Sequence, residues 1–495
     1  MSPDGELCDF GALRFGHRGE FQRDAAQSVC DAVREAGVRD LFVLVHGAHN
    51  DRGMSDAVDE SFIGMLNRAA PRGGERAGVV SAHWPSMCFR DEGPARAGPE
   101  GSAPEESRSD GMRMLSSDLS RVFPDRSGTV SEILKILHDR PTVEMAFDSL
   151  GSLLRRFAEI PSEDPLSAYA TDMGDEVLPQ DDPMMLFEET RTMCREFAGA
   201  LSDMRRALKA DGGQAARQHR SGPGAAEVSE EGTLGETHSA GPRPVHPVSD
   251  RVKRVGTVDG VHAGVGTDRR DTDYAELWDG AFELFRQVVR FALRRRAGLV
   301  GRQGLGLCLP FFARNSGVRL HLVGHGLGGR LAGFALGGLE ESEAEPVLLD
   351  SLTLLQGEMS HFAFADSLPQ QVAGHGALWG LQRMVKGPVV CTFSHLDSHL
   401  GVMYPLSTQM IGDSAHLSST ARKWGALGFD GAQGVGGLVS PVDLQDVTAQ
   451  SELPASHVNV DVSTAIRSDR IPMGGHHLMF DPLMGRLLWL AARRR

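Results

Sequence analysis

The chain has 495 residues, with 51 Lys and Arg against 66 Asp and Glu, giving a formal net charge of −15 at pH 7. So acidic a surface repels nucleic acid and anionic lipid unless a basic patch offsets it, and no run approaches the ~18 apolar residues of a membrane span. The N-terminus lacks the basic-then-apolar pattern of a signal peptide, and the six cysteines show no C-x-x-C pairing, so a cytoplasmic protein with reduced thiols is expected.

The length calls for one large domain with insertions, or for two to three domains. Residues Phe21 to Ala36 have helical spacing, and the near-continuous apolar strand Asp40-Leu41-Phe42-Val43-Leu44-Val45 suits a parallel sheet covered on both faces. A helix around Asp56 to Ala69 leads to a strand from Gly78 to His83, closing a first α/β segment over residues 1–90. Residues 91–128 are rich in Gly, Pro, Ser, Glu and Arg and read as a low-complexity linker. Helical spacing returns over 129–210, in Thr129 to Asp139, in the stripe Val143, Phe147, Leu150, Leu154 and Phe157, and in Met193, Phe197, Leu201, Met204 and Leu208. This is expected to be a lid-like helical insertion. Residues 211–270 read as a second, disordered linker whose scattered histidines are solvated.

The second α/β segment spans 271–495. It opens with a long helix from Asp273 to Arg296, whose closing Arg294-Arg295-Arg296 reads as favourable charge at a helix C-terminus; Arg493-Arg494-Arg495 reads as a solvated tail. Then come a strand over Val318 to Val323, a helix from Leu327 to Leu339, strands over Pro346 to Leu355 and Pro388 to Phe393, and a last helix from Asp481. Strands alternating with helices indicate an α/β protein with a doubly wound, mostly parallel sheet.

The chemistry concentrates after the Val318 to Val323 strand, where Gly324-His325-Gly326-Leu327-Gly328 has the spacing of a nucleophile elbow, G-x-S-x-G, with glycine in place of serine. Acyl transfer also needs a base, an acid to orient it and N–H donors for the oxyanion. His46-Gly47 after the first strand fits an oxyanion loop, with the N–H groups of Ala48 and Leu327 as donors. Asp397 fits the acid and His476 the base, both in loops after the later strands.

In these residues, together with His83-Trp84-Pro85-Ser86, Gly329-Arg330, Leu354-Leu355-Gln356-Gly357 and Trp424-Gly425-Ala426-Leu427-Gly428, the chain resembles the α/β-hydrolase superfamily and bacterial serine-hydrolase-like proteins of lipase, esterase or peptidase type. The resemblance covers residues 30–90 and 273–490. It implies an α/β-hydrolase fold with a nucleophile at position 326, an acid at Asp397 and a base at His476. The departure falls on the nucleophile itself.

Three functions follow as expectations. The first is a pseudo-hydrolase that binds a small acyl or ester-like ligand, or a protein partner, without covalent chemistry. The second is an active hydrolase using Ser360, Ser398 or a His476-activated water. The third is an anion- or nucleotide-binding protein that uses the helix after Gly326. No cofactor is expected, and His476-His477 and His395-Asp397-His399 lack the third element a metal site would need.

Overall fold

Strand β2 (Asp40–Val45) is buried along its whole length, and its side chains alternate between two apolar cores. Leu41, Val43 and Val45 enter one; Phe42 and Leu44 enter the other. A strand walled by helices on both faces buries every side chain, which is why the run Leu41 to Val45 is continuously apolar rather than alternating.

The computed structural model describes residues 7–49, 52–71, 76–89, 105–174, 186, 188–220, 274–341, 347–368, 374–397, 399–411, 425–465 and 481–493. In chain order the elements are β1 (Cys8–Arg14), α1 (Arg23–Glu35), β2, α2 (Arg52–Ala69), β3 (Ala77–His83), α3 (Glu105–Val122), α4 (Ser127–Asp139), α5 (Met145–Ala158) and α6 (Thr190–Arg220). They continue with α7 (Tyr274–Leu299), α8 (Gly306–Ser316), β4 (Arg319–His325), α9 (Leu327–Glu340), β5 (Ser351–Leu355), β6 (Val389–Phe393), α10 (Tyr404–Ile411), α11 (Leu427–Asp430), β7 (Val442–Asp443), α12 (Leu444–Thr448), β8 (His457–Asp461) and α13 (Pro482–Ala492).

The strands form one eight-stranded sheet in the order β1-β3-β2-β4-β5-β6-β8-β7, every described pair parallel. Because all strands run the same way, their carboxyl ends share one edge, the usual place for a site in an open α/β sheet. One face is covered by α1, α7, α8 and α9, through Cys30, Leu284, Phe312 and Leu331 among others. The other is covered by α2, α12 and α13, through Phe62, Val447 and Leu487. Asp481 caps α13, its carboxylate accepting from the N–H of Leu483 at 2.8 Å.

Helices α3 to α6 pack through Leu119, Ile133, Leu154 and Phe197 into the same core as Leu41 and Leu322 of the sheet. The described part of the stretch read as a linker over 91–128 is therefore helix from Glu105, with Leu115, Leu119 and Val122 buried. Sparse apolar residues at helical spacing were outweighed by the polar composition around them. Residues 221–273, most of the second linker, lie outside the described residues, and the backbone of α6 runs as far as Arg220.

Arg294, Arg295 and Arg296 depart from the sequence reading. Helix α7 continues through them to Leu299, then through wide turns over Val300–Leu305 into α8. All three are buried, their guanidinium groups lying over the rings of Tyr404 at 5.1 Å, Phe291 at 4.1 Å and Phe123 at 4.6 Å. Burial, and then the neighbouring Arg126, push the Arg296 pKa down to about 9. Val143, expected on a buried stripe, precedes α5 and is exposed, whereas Phe147, Leu150, Leu154 and Phe157 form the buried face.

Candidate functional site

Strand β4 ends at His325 and α9 begins at Leu327, so the chain turns from strand to helix over one residue, Gly326, at φ +54° and ψ −120°. Its N–H donates to the Leu355 carbonyl at 3.0 Å, and its own carbonyl accepts from the N–H of Glu358 at 2.9 Å, tying the turn to the loop after β5. A Cβ built on Gly326 would have no heavy atom within 4 Å. Two residues on, the situation reverses. A Cβ on Gly328 would stand 2.3 Å from the carbonyl oxygens of Val45 and His46. Glycine at 328 is what lets α9 start against the end of β2.

That close approach sets the expected oxyanion loop beside the elbow. A Cβ on Gly47 would lie 3.2 Å from the Nδ1 of His325, so this loop rests on the side chain preceding Gly326. Ala48 follows, half-buried. His46 is buried, with Nδ1 2.7 Å from the Gly47 carbonyl. A carbonyl only accepts, so this contact assigns the proton to Nδ1. Burial, and then His83, push its pKa down to about 4, so the ring is neutral at physiological pH.

Asp397 is fully buried in the turn after β6. Its Oδ1 accepts from the N–H of Leu400 at 3.0 Å, and its Oδ2 accepts from the Nε2 amide of Gln356 at 3.3 Å. Gln356 sits one residue beyond β5, next to the Leu355 carbonyl that holds Gly326. The structure thus brings Gly324, His325, Gly326, Leu327 and Gly328 together with His46 and Gly47 at one edge, and joins Asp397 to that edge through Gln356. His476 lies outside the described residues, as do Ser398 and His477.

Gln356 was not a candidate from sequence. It adopts a left-handed φ of +46°, uncommon for a residue with a Cβ. Its N–H donates to Thr392 Oγ1 at 3.1 Å, while its side-chain oxygen is buried without a hydrogen-bond partner among the described residues. A left-handed φ and an unsatisfied buried oxygen on one residue beside the elbow make Gln356 a candidate site residue. The available signal was a polar residue directly after an apolar strand.

In comparisons with protein-family models, curated proteins and solved structures, this chain has no match. Its own geometry carries the functional reading.

Among the described residues no other nucleophile emerges at the elbow. Ser360 is buried; its N–H donates to Asp172 at 2.7 Å and its Oγ accepts from the N–H of Phe362 at 3.1 Å, a local turn-forming bond. Burial pushes the thiols of Cys194, Cys308 and Cys391 up to about 12 and that of Cys30 up to about 11, far from the thiolate a nucleophile requires.

A Ser–His–Asp arrangement does exist elsewhere. Ser351 Oγ lies 2.9 Å from His321 Nδ1, and His321 Nε2 lies 3.0 Å from Asp40 Oδ1. It occupies the amino-terminal halves of β5, β4 and β2, opposite to the edge where ligands bind such sheets. His321 is 0% exposed, and Asp40 is also held by both arms of Arg319 at 2.6 Å. This array joins three strands and has no open face for a substrate. Burial alone would raise the Asp40 pKa, but the bonds from His321 and Arg319 outweigh it and hold the carboxyl below its ordinary value.

Proposed function

We propose that this chain is an α/β-hydrolase-like protein that has kept the elbow and lost the nucleophile, and that it binds a small acyl or ester-like ligand, or a protein partner, non-covalently at the carboxyl edge of its sheet. The observation carrying this reading is Gly326. It adopts positive φ at a one-residue strand-to-helix turn, with open space where a serine side chain would stand. A residue with a Cβ there bears strain of about 1–3 kcal/mol, so glycine stabilises the fold while removing the attacking group. Support comes from the close packing of Gly328 on His46 and from the buried carboxylate of Asp397, features that acyl-transfer chemistry needs and that a plain binding sheet does not. In this reading α3 to α6 act as the covering insertion, and the six free cysteines fit a reducing, cytoplasmic setting.

The test pairs the native chain with Gly326→Ser. The native protein is expected to stay unlabelled by a fluorophosphonate probe, and stoichiometric labelling would refute the loss of the nucleophile. Gly326→Ser is expected to react with the probe and to hydrolyse an activated ester with an initial burst. If a folded Gly326→Ser protein does neither, Asp397 and His476 are not arranged as acid and base and the hydrolase ancestry of the site is wrong.

A further inference from the structure

On the α2 side of the sheet edge, Asp56, Asp59 and His83 each offer a donor atom, and these atoms all lie within 4.8 Å of one another. Asp56 and Asp59 are three residues apart on α2 and so share a helix face. His83 is the last residue of β3. Its Nε2 lies 2.9 Å from Asp59 Oδ2. The other carboxylate oxygen of Asp59, Oδ1, is buried and has no hydrogen-bond partner among the described residues. A buried carboxylate oxygen in that state carries a desolvation cost that a hydrogen bond or a cation would offset.

We infer that Asp56, Asp59 and His83 form a binding site for a divalent first-row transition cation. One imidazole nitrogen with two carboxylates suits Mn²⁺, Fe²⁺ or Zn²⁺, whereas Ca²⁺ favours an all-oxygen shell. The spread of donors fits an ion of this size. Metal–oxygen bonds near 2.1 Å put opposite ligands about 4.2 Å apart, so a small contraction closes the set. Asp56 is exposed and gives the ion a route from solvent; water completes the coordination. His83 binds as the neutral ring through Nε2, with its proton on Nδ1, and Asp59 turns from partner of the imidazole to fellow ligand.

The site is separate from the elbow. The register Ala82↔Val45↔Gly324 sets β3 two strands from β4, about 10 Å away. Between them stands His46, whose ring centroid is 5.1 Å from that of His83. The inference does not depend on whether the chain descends from hydrolases.

The full chain, treated with chelator and then dialysed, is titrated with MnCl2 and separately with ZnCl2 near pH 7.5, followed by calorimetry and by loss of the free Mn²⁺ paramagnetic resonance signal. One ion per chain is expected, with affinity weakened at least tenfold in Asp56→Asn and in His83→Gln. Asp56 is exposed, so Asp56→Asn keeps the test valid should His83→Gln fail to fold. Absence of binding up to millimolar metal overturns the site. Binding that is unchanged in folded Asp56→Asn also overturns it, because the ion is then held elsewhere.

Discussion

The side-chain amide of Gln356 donates to the carboxylate of Asp397 across 3.3 Å, joining the loop after β5 to the turn after β6. Because the bond is buried, it is sensitive to charge. Gln356→Glu keeps the shape and replaces a donor with a second carboxylate. Two carboxylates at this separation cannot both ionise cheaply, so one is pushed up in pKa. The variant is expected to lose about 1–3 kcal/mol at pH 8 and to recover much of it by pH 5, where one proton restores a donor. Urea denaturation at the two pH values measures this; a deficit independent of pH would mean that Gln356 and Asp397 are not coupled.

The two elbow glycines separate conformational strain from steric exclusion. Gly326→Ala meets no atom but must hold φ +54°, and is expected to cost about 1–3 kcal/mol. Gly328→Ala brings its Cβ to 2.3 Å from two backbone oxygens, which cannot rotate away as a side chain could. It is expected to be the more damaging of the two by at least about 1 kcal/mol. Equal unfolding midpoints for the two variants would show that α9 is not seated against β2.

Asp40 gives a pH dependence whose sign follows from its lowered pKa. The unfolded carboxyl titrates near its ordinary value of 3.8, and the folded one lower. Its stabilisation is therefore complete above about pH 5 and is lost as pH falls through 3.8 toward the folded value. Against Asp40→Asn, the native chain is expected to be more stable by about 1.5–3 kcal/mol from pH 8 to pH 5, with the gap closing below pH 4. A gap that widened on acidification would contradict the ionised Asp40 assigned here. Ser351→Ala, at the other end of the same chain of bonds, is expected to cost about 1 kcal/mol and to leave ligand binding unchanged.

What could be read from sequence divides along physical lines. Strand β2 was legible because burial on both faces writes itself as an unbroken apolar run, and the elbow because three glycines in five residues each have a reason to be there, close backbone approach at Gly324 and Gly328 and positive φ at Gly326. Strand β1 was not: it is an edge strand, interrupted by a bulge between Asp9 and Ala12 and by Gly11 at φ +72°, and among its residues only Leu13 is buried. Strand β8, His457–Asp461, alternates over only five residues, and its buried Asn459 looks like a loop residue until its side chain is seen bonded to both the N–H and the carbonyl of Ala432. Arg294 to Arg296 read as charge at a helix C-terminus, but the backbone coils on past them through Leu299 toward α8, and their guanidinium groups stack on aromatic rings in the core. Gln356 and the Asp56, Asp59 and His83 group depend on contacts between residues distant in the chain, to which spacing is blind.

Arg330 offers the most demanding test of how the elbow helix is anchored. All three guanidinium nitrogens are engaged: Nε donates to the Arg294 carbonyl at 3.0 Å, one terminal nitrogen to the Tyr169 carbonyl at 3.1 Å, and the other forms an ion pair with Asp172. The carboxylate of Asp172 in turn accepts from the N–H of Ser360 at 2.7 Å and from the hydroxyl of Tyr404 at 3.0 Å. One buried pair thus links α9 to α7, to the segment before α6, to the loop after β5 and to α10. Lysine keeps the charge but has neither the planar fork nor enough donors in the right directions. Arg330→Lys is therefore expected to lose stability on the scale of a broken buried pair, about 3–5 kcal/mol, close to the loss in Asp172→Asn. Tyr404→Phe, which removes one neutral donor, is expected to lose about 1 kcal/mol. In the double variant Arg330→Lys with Asp172→Asn the losses are expected to be strongly less than additive, since either change alone already breaks the pair. Additive losses in a double-mutant cycle would show that the two side chains are stabilised separately.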